Sequence, residues 1–293
     1  MTKIRTRDAS RIQDRRGEGG RGGGMGLPGG LPIPGRMGGG LVGIIVILAS
    51  IFLPKLLGGG GTPALSPGDG DTTGRANPDA CQTEAEQILC GATDDVQDYW
   101  TGAFPSQFQQ KYEPTQTVFF SGFTNTGCGQ ASSETGPFYC PNDELVYFDL
   151  DFLAQLQDQF DAEGDLAAQY IVAHEYGHHI QNILGINAEM QQAQQQDPDN
   201  ANQYSVALEL QADCLAGVWA NDADRRVQLG AGEIEEAINA AEAVGDDRIQ
   251  QQTQGRIDPE SFTHGTSEQR ATWFRRGYSS GSAAQCDTFA ELL

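Results

Sequence analysis

A chain of 293 residues has room for one large domain or two ordinary ones with a buried core and a cleft, and is far too long for a disulfide miniprotein. Its 40 acidic against 18 basic side chains leave a formal charge of -22, which excludes nucleic acid as a ligand because phosphates are gripped by Lys and Arg. The 38 glycines are bunched rather than periodic, which marks a low-complexity segment joined to a folded part and not a fibrous protein.

Residues 1–37 carry Lys3, Arg5, Arg7, Arg11, Arg15, Arg16, Arg21 and Arg36 against Asp8, Asp14 and Glu18, with a dense glycine run. They read as a basic, disordered, Gly-rich cytoplasmic tail. Residues 38–57 follow as an expected transmembrane helix: Leu41 to Leu53 reads LVGIIVILASIFL without a charge, then Pro54, Lys55, Leu56 and Leu57. From Leu41 to Leu57 such a helix is roughly 25 Å long, slightly short of a hydrocarbon core of about 30 Å, so Lys55 snorkels to an interface. A buried soluble helix does not suit the Gly-rich flanks, and a cleaved signal peptide does not suit the long charged stretch ahead of the run or the lack of an A-x-A site after it.

Basic residues before the span and acidic ones after it place the amino terminus in the cytoplasm and the bulk of the chain outside. All six cysteines (Cys81, Cys90, Cys128, Cys140, Cys214, Cys286) follow the span, an even number suited to a compartment where disulfides persist. Loop closure alone favours sequential pairing, 81 with 90, 128 with 140 and 214 with 286; the alternative for Cys214 is a buried thiol. Residues 58–77 are Gly, Pro, Ser, Thr and Asp and read as a flexible linker, leaving residues 78–293 as the folded domain.

Within that domain a helical pattern covers Glu84 to Trp100. Two β-rich runs follow, TVFFS at Thr117–Ser121 and LVYFDL at Leu145–Leu150, separated by turn-forming residues. From Asp165 the chain is mostly helical, with the polar interval Gln191–Gln203 as its longest loop. Strands first and helices later indicate an α+β fold, mostly helical with a small sheet.

The later helical part holds the chemistry. Residues 166–184 read LAAQYIVAHEYGHHIQNIL, in which His174, Glu175 and His178 form H-E-x-x-H. Positions i and i+4 share a helix face, so both imidazoles reach one metal ion while Glu175 faces a water beside it. Zinc held by two His nitrogens and a third protein ligand keeps one position open and lowers the pKa of the water there, whose proton Glu175 takes. At this composition the pattern arises by accident in roughly 0.3 per cent of chains of this length.

A third ligand comes from residues 202–220, NQYSVALELQADCLAGVWA, where Glu209 and Asp213 lie four apart on one helix face. Glu209 is the expected ligand, with His264 or Asp213 as fallback. Asp213 is the expected acceptor for the second N–H of a ligand imidazole, fixing its tautomer. The bland reading, an acidic stripe on a solvated helix, conflicts with the apolar flanks Val206, Ala207, Leu208, Leu210, Ala212, Leu215 and Ala216. His179 points about 100° away from His178 and belongs to packing or surface. His264, in SFTHGTSEQ before a helix started by the capping box Thr266–Gln269, is either a donor to the oxyanion of a tetrahedral intermediate or a loop histidine holding its own turn.

LVYFDL is a candidate edge strand on which an extended peptide lies by β-addition. Phe119 with Phe120, and Trp273 with Phe274, read as core rather than subsite.

Taken together, QDRRG (13–17), GPFYCP (136–141), VYFDL (146–150), AHEYGHHIQN (173–182), ELQADCLAGVWA (209–220), AVGDDRIQ (243–250), SFTHGTSEQR (261–270) and CDTF (286–289) resemble the bacterial "putative neutral zinc metallopeptidase" family, membrane-anchored proteins with a gluzincin-like site. The resemblance runs along nearly the whole chain and departs only in loops, chiefly the Gln-rich stretch 190–203. It implies a zincin-like domain, Zn2+ as cofactor, peptide or protein substrates, His174, His178 and Glu209 as ligands and Glu175 as base. Two functions follow as expectations: a membrane-anchored zinc peptidase, or a zinc-stabilised extracytoplasmic scaffold with little hydrolysis. The intact Glu175 favours the enzyme, because a structural zinc site has four protein ligands and no use for a base.

Overall fold

The computed structural model describes residues 4–16, 79–150 and 165–293. The apolar run Leu41–Leu57, the flanking glycine-rich tail and the linker lie outside the described residues; among the described residues no helix is long and apolar enough to cross a membrane. The fold is α+β, mostly helical with a small sheet, as composition and element order indicate.

In chain order the elements are β1 (Ile12–Asp14), α1 (Glu84–Phe108), β2 (Thr117–Phe120), β3 (Phe123–Thr126), β4 (Gly129–Ser132), β5 (Phe138–Cys140), β6 (Leu145–Asp149), α2 (Asp165–Ile183), α3 (Ile186–Gln196), α4 (Ala201–Val227), α5 (Ala231–Ala243), α6 (Asp246–Gln254), α7 (Ser267–Ser280) and α8 (Thr288–Leu292). The main sheet has the order β1-β2-β6-β5, with β1, β2 and β6 parallel and β5 antiparallel to β6. LVYFDL is therefore an interior strand and not the expected edge; the edges are β1 and β5. Its run of buried residues from Val146 to Asp149 is the reason, since an interior strand covered on both faces needs no polar side.

Side chains alternate across this sheet with period two. Phe119, Val146 and Phe148 enter the large core with α1, α2 and α4, whereas Val118, Phe120 and Tyr147 join a smaller cluster with Phe138, Cys140 and Ala131 of the β3–β4 hairpin side. Both aromatic pairs singled out by the sequence are buried, Trp273 and Phe274 in the main core helix α7.

α1 begins at a capping box in which Thr83 accepts from the Glu86 amide and Glu86 accepts from Thr83. It continues to Phe108, past the expected end at Trp100, because Phe104 packs against Trp100 edge-on and against Tyr112, and Phe108 packs against Phe104 and Trp100, which holds the last turns against the core. The interval Gln191–Gln203 is mostly helical rather than a loop: Gln, Ala and Glu are good helix formers, and Met190 anchors α3 to the body. The three disulfides are Cys81–Cys90, Cys128–Cys140 and Cys214–Cys286, the sequential pairing.

Residues 4–16 are part of the domain, which corrects the boundary at residue 78 and the reading of 1–37 as a separate tail. β1 pairs with β2 in the register Ile12↔Thr117, Gln13↔Val118, Asp14↔Phe119, and Ile4, Ala9 and Ile12 are buried in the main core. A charge count cannot tell a solvated basic tail from a basic segment facing an acidic surface. Here Arg5 pairs with Glu84 and Asp165, Arg11 with Asp98, and Arg16 with Asp14 and Glu86.

Candidate metal centre

Two helices make the site. α2 is apolar along most of its length and packs its face against α4, and the glycine inside the motif permits the approach. A Cβ at Gly177 would stand 3.0 Å from the Ala212 Cα, so any larger residue would push the two helices apart. Ala212 lies between Glu209 and Asp213 in register with that contact, so both carboxylates face the motif.

His174, His178 and Glu209 each place one ligand atom within 4.8 Å of the others. His174 Nε2 lies 3.2 Å from one Glu209 oxygen and His178 Nε2 3.5 Å from the other. The opposite nitrogens are engaged elsewhere. His174 Nδ1 is 2.8 Å from Asp213 Oδ1, and His178 Nδ1 is 2.8 Å from Gln181 Oε1, whose amide nitrogen donates to the Leu208 carbonyl and to Gln211. Each ring thus gives its Nδ1–H to an oxygen and turns its Nε2 inward, the orientation that metal-ligating histidines require.

Burial penalises every charge here, and neighbours decide the outcome. His174 is raised to about 9: burial works against its imidazolium, and Asp213 and then Glu209 outweigh it. Glu209 loses by burial but gains more from His178, His174 and His264, which hold it well below the usual carboxylate range. Glu175, 7 % exposed, is raised by burial, with the two motif histidines pulling the other way. A buried carboxylate with a raised pKa beside two inward-facing imidazoles is a proton acceptor of tuned strength.

Asp213 receives His174 Nδ1 on Oδ1 together with the Tyr170 hydroxyl at 2.5 Å, and Arg270 grips both of its oxygens, Nε at 2.8 Å and Nη2 at 2.9 Å. Burial favours the neutral acid, but Arg270 foremost keeps Asp213 ionised. His264 is buried in a loop that packs on α4, where a Cβ at Gly265 would meet Val206 and Leu210 on either side of Glu209, and Glu209 is among the causes that raise it. Its Nδ1 lies 3.0 Å from Asp246 Oδ1, while Asp246 Oδ2 accepts the amides of Thr263, His264 and Gly265. One carboxylate thereby fixes both the loop and the ring. His179 points elsewhere, to the Tyr139 hydroxyl and the Glu113 carbonyl, in line with its predicted exclusion.

Tyr170, Gln181, Asp246 and Arg270 are absent from the sequence reading of the site. Gln181 had a findable signal, since it stands three residues after His178 on the same helix. Asp246 looks like an ordinary acidic residue in the first turn of a helix, and Arg270 like a surface residue after a capping box. Only tertiary packing carries them to the histidines.

The chain matches, over residues 1–289, the family described as "Putative neutral zinc metallopeptidase". It belongs to that family. It is 42% identical over 288 residues to "Uncharacterized protein YpfJ" of Escherichia coli (strain K12), covering 98% of both chains. It is 51% identical over 182 residues to "Uncharacterized protein Rv2575" of Mycobacterium tuberculosis (strain ATCC 25618 / H37Rv), 58% of this chain and 61% of that one. No solved structure matches it. The family name implies zinc, and the donor set agrees: two imidazole nitrogens and one carboxylate oxygen converge, with His174 and Glu209 buried and His178 half-buried, and suit a tetrahedral Zn2+ with one position left open.

Proposed function

We propose that this chain is a zinc-dependent peptidase in which His174, His178 and Glu209 hold the metal and Glu175 is the general base. The observation that carries the reading is the convergence of two Nε2 atoms on the Glu209 carboxylate with both Nδ1 atoms already committed. Zinc bound there supplies a Lewis acid and lowers the pKa of a coordinated water.

The residues of the chain do the rest. Glu175, raised by burial, accepts the proton of the attacking water and can return it to the leaving amine. His264, held by Asp246 and charged more readily than a free histidine, donates a hydrogen bond to the carbonyl oxygen as it gains negative charge. Asp213 and Gln181 orient the two ligand rings, so that no reorganisation is needed when the metal binds.

The edge strand of the main sheet that packs against α2 is β5, whose three residues are buried and whose Tyr139 meets His179. It replaces LVYFDL as the strand available to an extended peptide. Three disulfides support an oxidising compartment outside the cytoplasm, and the run Leu41–Leu57 supports attachment to a membrane.

Zinc content and cleavage of a mixed peptide library, compared between the wild-type chain and Glu175→Gln, test the assignment. One zinc in both and cleavage by the wild type alone is the expected result. Zinc in both with cleavage by neither would favour the scaffold reading, and a wild type without zinc would sink the site.

A further inference from the structure

Between residue 16 and residue 79 the chain carries the apolar run Leu41–Leu57, yet both of its flanks belong to one folded body. Residues 4–16 do more than touch the domain. Arg5 bridges Glu84 at the start of α1 and Asp165 at the start of the metal helix α2, at 2.7 and 2.5 Å. The buried Gln169 amide donates to the Ile4 carbonyl at 2.9 Å, and the Arg15 amide to the Phe119 carbonyl at 2.8 Å.

The helix beneath is shaped for this segment. A Cβ at Gly91 would lie 2.6 Å from the Arg5 Cα, so α1 carries no side chain where residues 4–5 cross it. Strand neighbours stand about 4.8 Å apart, whereas a hydrocarbon core is about 30 Å thick. β1 and β2 therefore cannot lie on opposite sides of a membrane.

The basic residues of this segment carry little weight for a cytoplasmic amino terminus. Positive-inside sorting counts Lys and Arg within about 15–20 residues of a span, and Arg16 already lies 25 residues before Leu41. Arg5, Arg11 and Arg16 are compensated by carboxylates of the domain in the folded protein. Cys81–Cys90, a bond that persists in an oxidising compartment, lies directly against the segment at the Asp8 backbone.

We propose that residues 4–16 and the disulfide-bonded domain occupy one compartment, so that the chain does not pass once through a membrane from a cytoplasmic amino terminus to an outer domain. Any membrane contact of Leu41–Leu57 then begins and ends on the domain's side. This holds whether or not the metal centre is a peptidase.

All six cysteines are paired, so a single introduced thiol reports its own side of the membrane. Ser10→Cys and Gln191→Cys, both at exposed positions of the full chain, are labelled with a membrane-impermeant maleimide in intact and in permeabilised cells. Equal labelling of the two in intact cells is expected; labelling of both only after permeabilisation also supports a shared compartment and relocates the domain inside. Labelling of one in intact cells and of the other only after permeabilisation overturns the proposal. Docking is read independently by trypsin on the full chain: cleavage after Arg11 and Arg16 is slow in the wild type and accelerated in Gly91→Val and in Arg5→Ala. An unfolded variant would be cut throughout, not at the amino terminus alone. Wild-type cleavage there as fast as in both variants would also overturn the proposal.

Discussion

Arg270 and Asp213, 57 residues apart in sequence, form a bidentate pair with side chains 4% and 0% exposed, and the same aspartate oxygen that meets Arg270 Nη2 receives His174 Nδ1. The arginine thus stabilises the charge that orients His174, one of the three proposed ligands. Removing it leaves a buried carboxylate without its partner, which costs about 3–5 kcal/mol. Arg270→Met is expected to lower the thermal midpoint sharply; Asp213→Asn, which leaves the buried Arg270 charge without its carboxylate, lowers it too and weakens zinc binding by about 10–100-fold in a chelator competition at low temperature. Unchanged zinc affinity in Asp213→Asn would show that the hydrogen bond to His174 is incidental.

Gly177 sets the spacing of the two site helices. Gly177→Val brings methyl groups into the Ala212 backbone, already 3.0 Å from a bare Cβ. Overpacking of this kind costs about 1–3 kcal/mol. The expected result is a folded protein with native circular dichroism that binds zinc less tightly, because Glu209 has moved away from the histidines.

The His264–Asp246 pair makes the metal-free chain's stability depend on pH. His264 lies above its usual 6.5, despite burial, because of Asp246; its contribution is complete below 6.5 and lost as pH rises through the folded value. Asp246 lies below its usual 3.8 despite burial, chiefly because of His264; its contribution is complete above 3.8 and lost as pH falls through the folded value. The stability gap between wild type and His264→Gln in chelator is therefore greatest between these two values and shrinks on the alkaline side. A gap independent of pH from 5 to 9 would refute the charged pair.

Cys214–Cys286 closes a loop of 72 residues and ties α4, one residue after Asp213, to the carboxyl-terminal segment. Loop-closure entropy for a link of this length is about 4 kcal/mol. Cys214→Ser with Cys286→Ser is expected to lower stability by an amount of that order, measured by denaturant unfolding, with zinc still bound at low temperature.

A fragment starting at residue 79 lacks Ile4, Ala9, Ile12 and the strand that covers the β2 edge. Burial of each of the two isoleucines contributes about 1.5–3 kcal/mol. The fragment is expected to aggregate, whereas a chain in which a Gly/Ser linker replaces residues 17–78 stays soluble and keeps its zinc. Equal behaviour of the two would show that the segment is dispensable.

That His174, His178 and Glu209 come together was legible in one dimension because helical spacing converts sequence distance into a shared face, and the apolar flanks of Glu209 betrayed its burial. The disulfide pairing was legible for a related reason, as two of the three loops are short. Strand order was not, and LVYFDL shows why: a continuous apolar run says that both faces are covered but not by what.

What the sequence determined by itself was local: the helices, the motif, the candidate third ligand and the α+β class. Tertiary structure alone decided that Arg270, Asp246 and Tyr170 serve the histidines, and that residues 4–16 are a strand of the domain. These depend on contacts between segments tens of residues apart, and neither periodicity nor net charge carries information about such contacts. Arg5 counts the same in a charge sum whether it faces water or Asp165, and only the fold tells the two apart.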